Sequence, residues 1–136
     1  MTVINPYLTP QTGETEWTIS GQCTGNAEIL LTENGKKQSQ GTGKMLVGTG
    51  KLIDPSRLAH VFCSPRIRAV TTLDMLLGEK GKKQLEADKK LTITDDITEW
   101  DYGRYEGITP PRINEKRKEE GLGKWNIWVE GCPEGE

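Results

Sequence analysis

Apolar and polar positions along the chain fall into short blocks punctuated by glycine and proline. At the front, Pro6 and Pro10 each remove a backbone donor, so Tyr7 and Leu8 are expected on an edge strand or an irregular path. Residues 13–25 are polar and glycine-punctuated and read as a long loop with one short turn. Thr32 is placed to cap a helix through about Val47, although Gly35, Gly41 and Gly43 lower its intrinsic propensity. Asp54-Pro55-Ser56 marks a turn or a short helix start, and His60–Cys63 has the composition of a short buried strand. Ser64-Pro65 then supplies a capping hydroxyl and a proline at the first helical position. Ala69, Val70, Leu73, Leu76 and Leu77 recur on one face of a helix predicted to end near Leu77. Residues 78–90 are lysine-rich and read as a mobile connection. Leu91–Ile93 alternates as a second strand, and Thr109-Pro110 opens a helix to about Glu120. Trp125, Ile127 and Val129 alternate with mostly polar neighbours before a turn-like tail. Strand, helix, strand, helix in this order predicts an α/β fold with some parallel pairing.

Composition narrows the class. The 136 residues suit one domain spanning 1–136, and 33% apolar content supports a modest core. A net charge of −2, with lysine and arginine interleaved among acids as in Glu115–Glu120, argues against a nucleic-acid or membrane-surface partner. No apolar stretch approaches a membrane span and the first ten residues lack the pattern of a signal peptide, so a cytoplasmic location is expected. The three cysteines cannot all pair within the chain, and none forms a CxxC motif. Cys63, in an apolar run, reads as a small buried residue. Glu14, Glu16 and Glu106 have no metal-ligand spacing with histidine, so neither a metal nor another cofactor is expected.

Three motifs carry the chemistry. Gly13-Glu14-Thr15-Glu16-Trp17, followed by Ser20-Gly21-Gln22, Thr24-Gly25 and Leu31-Thr32-Glu33-Asn34-Gly35, forms the first. Ser64-Pro65-Arg66-Ile67-Arg68-Ala69 with Thr71 and Thr72 forms the second. Glu99-Trp100-Asp101-Tyr102-Gly103 with Tyr105-Glu106-Gly107 forms the third. In this order they resemble the N-terminal half of a histidine phosphatase, or phosphoglycerate mutase-like, domain. The tail from Trp125 to Gly135 is similar to the fungal branch that includes sedoheptulose bisphosphatase-like proteins. The resemblance implies part of a three-layer sandwich, a small, mostly parallel sheet flanked by helices.

Family chemistry passes a phosphoryl group through a histidine, with arginines and a second histidine holding the phosphoryl oxygens and a carboxylic acid protonating the leaving oxygen. The family has Arg-His before the glycine of the first motif; here Gln11 and Thr12 stand there. The nucleophile and one phosphate-clamping arginine are therefore replaced, and the second catalytic histidine belongs to a later strand that the sequence does not reach. A threonine hydroxyl is a poor nucleophile without an adjacent base. The single histidine, His60, is expected to pack or cap. By resemblance Arg68 matches the second phosphate-binding arginine, Glu99 the acid/base carboxylate, and Thr24 and Tyr102 line the same pocket. Arg68 near the start of the Pro65 helix is expected to attract anions weakly. Alternatively, it pairs with Glu14 or Glu99, and Glu99 and Asp101 belong to a solvated loop.

Three functions follow as expectations. The first is an acid/base enzyme of lyase, cyclase or isomerase type, using Glu99 on a small organic or anionic metabolite. The second is a non-catalytic pseudophosphatase that binds a ligand or protein partner, and the third is a phosphatase or mutase acting on sugar phosphates. A homodimer is expected, because half a family domain would leave strand edges and apolar helix faces for a second copy to cover, with Trp125, Ile127 and Trp128 in the contact.

Overall fold

The computed structural model describes residues 11–136; the expected edge strand or irregular path at Tyr7 and Leu8 lies outside the described residues. In chain order the helices are α1 (Glu16–Ser20), α2 (Glu33–Leu46), α3 (Ile67–Ala87), α4 (Pro110–Glu119) and α5 (Ile127–Glu130), and the strands are β1 (Val61–Cys63) and β2 (Leu91–Ile93). Single 3₁₀ turns sit at Pro55–Arg57, Asp95–Ile97 and Gly103–Tyr105. β1 and β2 pair in parallel, with Val61 opposite Leu91 and Cys63 opposite Ile93. The architecture is α/β, a small parallel sheet flanked by helices.

Local signals account for most boundaries. Thr32 accepts the Gly35 N–H and starts α2, and Asp54 caps the 3₁₀ turn at Pro55. Thr15 and Thr18 bond reciprocally around the start of α1, the one turn expected inside the first loop. The glycines of α2 cost propensity but are needed for packing. A Cβ at Gly35 would strike the Glu14 backbone, and one at Gly43 the Leu76 carbonyl of α3. The segment bearing Gly13 and Glu14 and the helix α3 can approach α2 this closely only because these positions carry no side chain.

Several expectations are corrected. α3 begins at Ile67 rather than at Pro65; Arg66 occupies the cap position without a side-chain capping bond, and the Ile67 N–H is capped instead by the Glu28 carboxylate at 2.7 Å. The lysine-rich stretch is not a loose connection. Beyond a break at Gly78 (φ 64°, ψ 172°) the helix resumes to Ala87, anchored by fully buried Leu85 and by ion pairs from Lys82 to Asp74 and from Lys83 to Glu79, both 2.6 Å. The apolar face Ala69, Val70, Leu73, Leu76 and Leu77 is only half-buried. β1 is not wholly buried either, since Phe62 is 61% exposed. Trp125 to Val129 does not form a strand. Asn126 accepts the Trp128 N–H and turns the chain into α5.

The core gathers Cys23, Tyr105, Ile113 and Cys132, with Trp100, Tyr102, Ile108, Trp125 and Ile127 packed around them. Ile113 is fully buried. Buried Arg117 braces this core from α4 by donating to the Gly123 carbonyl (2.9 Å), the Tyr105 hydroxyl (3.3 Å) and the Glu130 carboxylate. Because this cluster joins the third motif to the loop around Cys23, it sets the position of the residues described next.

Candidate functional site

Arg68 lies in the first turn of α3 and is 7% exposed. Its guanidinium donates to two carbonyl oxygens, Ala27 at 2.9 Å and Gly25 at 2.8 Å. The opposite edge of the same loop is held by Glu106. Its carboxylate accepts the N–H of Gly25 (2.8 and 3.1 Å) and the N–H of Ala27 (3.1 Å). Both backbone polar groups of Gly25 and of Ala27 are thereby satisfied, by a cation on the carbonyl side and an anion on the amide side. The two side chains of opposite charge thus grip one loop along the direction of its peptide dipoles. The expected pairing of Arg68 with Glu14 or Glu99 is not formed. Glu14 instead accepts from the Thr32 hydroxyl (2.7 Å) and the Asn34 amide (3.2 Å).

Gly25 is the hub of the site. A Cβ there would run into the Trp100 carbonyl oxygen, the Glu106 carboxylate and the Tyr102 ring, so the third motif lies directly on the loop that Arg68 holds. Half-buried Tyr102 therefore sits beside Gly25, next in sequence to Thr24, whose hydroxyl donates to the Gln22 carbonyl at 3.1 Å. Burial pushes the Tyr102 phenol up, and the Glu99 carboxylate adds to the effect, so at neutral pH Tyr102 is a hydrogen-bond donor. Glu99 itself is exposed, and its carboxylate accepts the N–H of its neighbour Trp100 at 3.1 Å.

Gln11 and Thr12 are exposed. The Gly13 N–H donates to the Thr72 hydroxyl (2.9 Å), which donates to the Arg68 carbonyl (2.7 Å). Two hydrogen bonds thus tie the residue after Thr12 to Arg68. The structure brings Arg68 and Tyr102 together at Gly25, beside Thr24, while Glu99 is exposed. His60 stands at the far end of β1, its ring nitrogen 2.8 Å from the Thr92 hydroxyl and its ring 4.6 Å from that of Phe62. It is not placed to serve as a base for Thr12.

The three cysteines are buried free thiols. Burial raises Cys23, Cys63 and Cys132 above the ordinary thiol value, with neighbouring acidic groups adding to the effect. Among the described residues no three His, Cys, Asp or Glu side chains gather as a metal ion would require, and no helix is long and apolar enough to cross a membrane. An open hollow of about 500 Å³ lies between α2 and α3 and another along the second half of α3. Neither is lined by the residues gathered around Gly25.

The family model of the histidine phosphatase superfamily (branch 1) matches residues 12–136. The chain belongs to the histidine phosphatase superfamily. It is 40% identical to sedoheptulose 1,7-bisphosphatase of Saccharomyces cerevisiae over 96% of this chain and 51% of that protein. It is 38% identical to an acid phosphatase of Mycobacterium tuberculosis over 91% of this chain and 51% of that protein. Among solved structures, a functionally characterised open-reading-frame product of Mycobacterium tuberculosis superposes with a TM-score of 0.62 at 33% identity, covering 92% of this chain and 54% of that one. The α-ribazole phosphatase of Shigella flexneri, at 23% identity, shares the fold with a TM-score of 0.67, over 92% of this chain and 55% of that one. The chain spans about half the length of the curated relatives it matches.

Within this superfamily frame, two residues escaped the sequence reading. Spacing speaks against Glu106 as a metal ligand but carries no sign of the backbone N–H groups it accepts. The cap from Glu28 to Ile67, 39 positions apart, had no local signal.

Proposed function

We propose that this chain is a superfamily member without phosphohistidine chemistry that binds a ligand or partner rather than turning over a phosphate ester. The observation that carries this reading is the commitment of the Arg68 guanidinium to the Gly25 and Ala27 carbonyls. Stabilising a phosphoryl transition state needs donors aimed at developing charge, and here two of the arginine's five donors serve the fold. Thr12 adds to the case, since the one imidazole of these residues, His60, is engaged with Thr92 and a threonine hydroxyl is a poor nucleophile without an adjacent base. What remains beside Gly25 is the Thr24 hydroxyl and the Tyr102 phenol, with exposed Thr12 and Gln11 tied to Arg68 through Gly13, groups suited to hydrogen-bonding a small polar molecule.

An acid/base enzyme is a second reading, favoured by the proximity of Glu99 to the Tyr102 phenol. It has less support, because Glu99 is exposed and general acid/base groups work best where their protonation is tuned by shelter. A phosphatase or mutase is the third, favoured by the activities for which the yeast and mycobacterial relatives are named. One experiment separates all three. Purified protein is incubated with a sugar bisphosphate and, in parallel, with a metabolite mixture, while phosphate release, phosphoenzyme and new products are measured by mass spectrometry. The binding reading expects no trapped phosphoenzyme and no product, with co-purified or retained small molecules released on denaturation. Phosphate release through a covalent phosphoenzyme overturns it in favour of the phosphatase. A new product abolished by Glu99→Gln overturns it in favour of the acid/base enzyme. Thr12→His alone is expected to restore no phosphatase activity, since Gln11 still stands in the clamping position.

A further inference from the structure

The C-terminal segment displays an aromatic face that the site around Gly25 does not use. Trp128 is 82% exposed and Val129 78% exposed, yet their helix is firmly placed. Asn126 caps the Trp128 N–H at 3.1 Å, Ile127 packs into the core, and the Trp125 indole donates to the Gly131 carbonyl at 2.9 Å. Trp128 is therefore held out into solvent by a fixed frame. Trp100 meets it edge to face, centroids 5.7 Å apart at 77°, and is itself pinned by donation from its indole to the Glu136 carbonyl at 3.2 Å. Two nearly perpendicular π systems thus form a corner, and most of the Trp128 surface is open to solvent.

The surroundings of this corner are acidic. Residues 99–106 and 130–136 hold six acids and one arginine, of which Glu106 is engaged with the Gly25 and Ala27 amides. Glu130 is paired with Arg117, and Glu134 lies 3.6 Å from Arg104. Glu99 and Glu136, which flank Trp100, form no ion pair among the described residues.

We propose that the Trp100–Trp128 corner is a docking site for a short basic segment of a partner polypeptide, whose arginine or lysine head group lies over the indole face of Trp128. The ring quadrupole attracts a cation within about 6 Å of its centroid, and the acidic fringe adds electrostatic attraction and disfavours anionic partners. Size favours a short segment over a second copy of the chain. Trp128 and Val129 together offer roughly 300 Å², against about 800 Å² per partner in a stable globular interface. Trp125 and Ile127, expected from the sequence to join a dimer contact, are instead packed against this chain's own core. The proposal is independent of whether the chain turns over a substrate.

The test is a tryptophan-fluorescence titration of the full chain with an acetylated, amidated pentapeptide of alternating glycine and arginine, against the same peptide with glutamine for arginine. The arginine peptide is expected to bind at least about 5-fold more tightly and to weaken as salt rises. Trp128→Leu, which keeps apolar area but removes the π face, is expected to weaken binding about 5- to 30-fold; Trp128→Phe is expected to retain part of it. Glu99→Gln provides a variant that leaves the aromatic frame intact and is expected to weaken binding of the arginine peptide alone. Equal affinity for the two peptides, or binding unaffected by Trp128→Leu, overturns the proposal. So does sedimentation velocity showing a dimer that Trp128→Leu dissociates, which would assign the face to a second copy.

Discussion

Replacing Arg68 with methionine isolates the contribution of the grip on Gly25 and Ala27. Methionine keeps most of the buried stem but removes the charge and the two donors that lie 2.9 and 2.8 Å from the carbonyls. Hydrogen bonds from a charged group contribute about 1.5–3 kcal/mol each, so the pair amounts to about 3–6 kcal/mol. Against this, the variant no longer buries a guanidinium, a relief of about 1–2 kcal/mol once the charge's partial compensation by Glu106 across the loop is included. The expected net loss is about 2–4 kcal/mol, a large share of the roughly 5–15 kcal/mol of an ordinary domain. Urea unfolding followed by tryptophan fluorescence is a direct assay, since Trp100 lies on Gly25. With a slope of about 1.5 kcal/mol per molar urea, the midpoint should fall by roughly 1.5–2.5 M. Arg68→Lys, which lacks the planar fork, should fall about half as far. Because Glu106 holds the same two residues, Glu106→Gln and Arg68→Met should couple by more than about 0.5 kcal/mol in a double-mutant cycle. The reasoning is refuted by an unchanged midpoint for Arg68→Met. It is also refuted if phosphate raises the midpoint of the parent but not of the variant, which would mean the guanidinium faces an anion site and not the carbonyls.

Three further outcomes follow from the packing. Ile113→Ala, at a fully buried position, should cost about 2–5 kcal/mol in the same titration through the cavity it opens; a loss below 1 kcal/mol would show that α4 is not anchored there. Gly25→Ala, whose methyl would meet the Trp100 carbonyl and Tyr102, should cost at least about 1–3 kcal/mol and broaden Trp100 and Tyr102 resonances, whereas a neutral effect would place the third motif away from the loop. Asp54 is held below the ordinary carboxylate range by the Ser56 hydroxyl and then by the Gly50 N–H. A depressed folded value means its contribution is complete above the ordinary value of about 4 and is lost as pH falls through the lower folded value. Asp54→Asn should therefore flatten the acid limb of the stability profile below about pH 4, measured by thermal melts, with no change in its shape above pH 6.

Local chemistry made much of this protein legible in one dimension. Thr32 marks the start of α2, a proline marks the start of α4, and the Leu91–Ile93 alternation marks β2, because caps, φ restriction and side-chain period act within a few residues. The motifs likewise made the superfamily readable without coordinates. Tertiary structure decided the rest. Residues 79–87 are helical because Leu85 finds a buried seat and lysines find acids a turn or more away, which their low local hydropathy conceals. α3 starts at Ile67 because a carboxylate from residue 28 arrives to cap it. Arg68 faces carbonyls instead of Glu14 or Glu99 because the Cys23–Ile113 core carries the third motif onto Gly25. That places Glu106 on the loop's amide side and leaves its carbonyls for the arginine. Whether a charged side chain meets a ligand or the fold depends on which distant backbone is brought within 3 Å of it, and residue order alone carries no such distance.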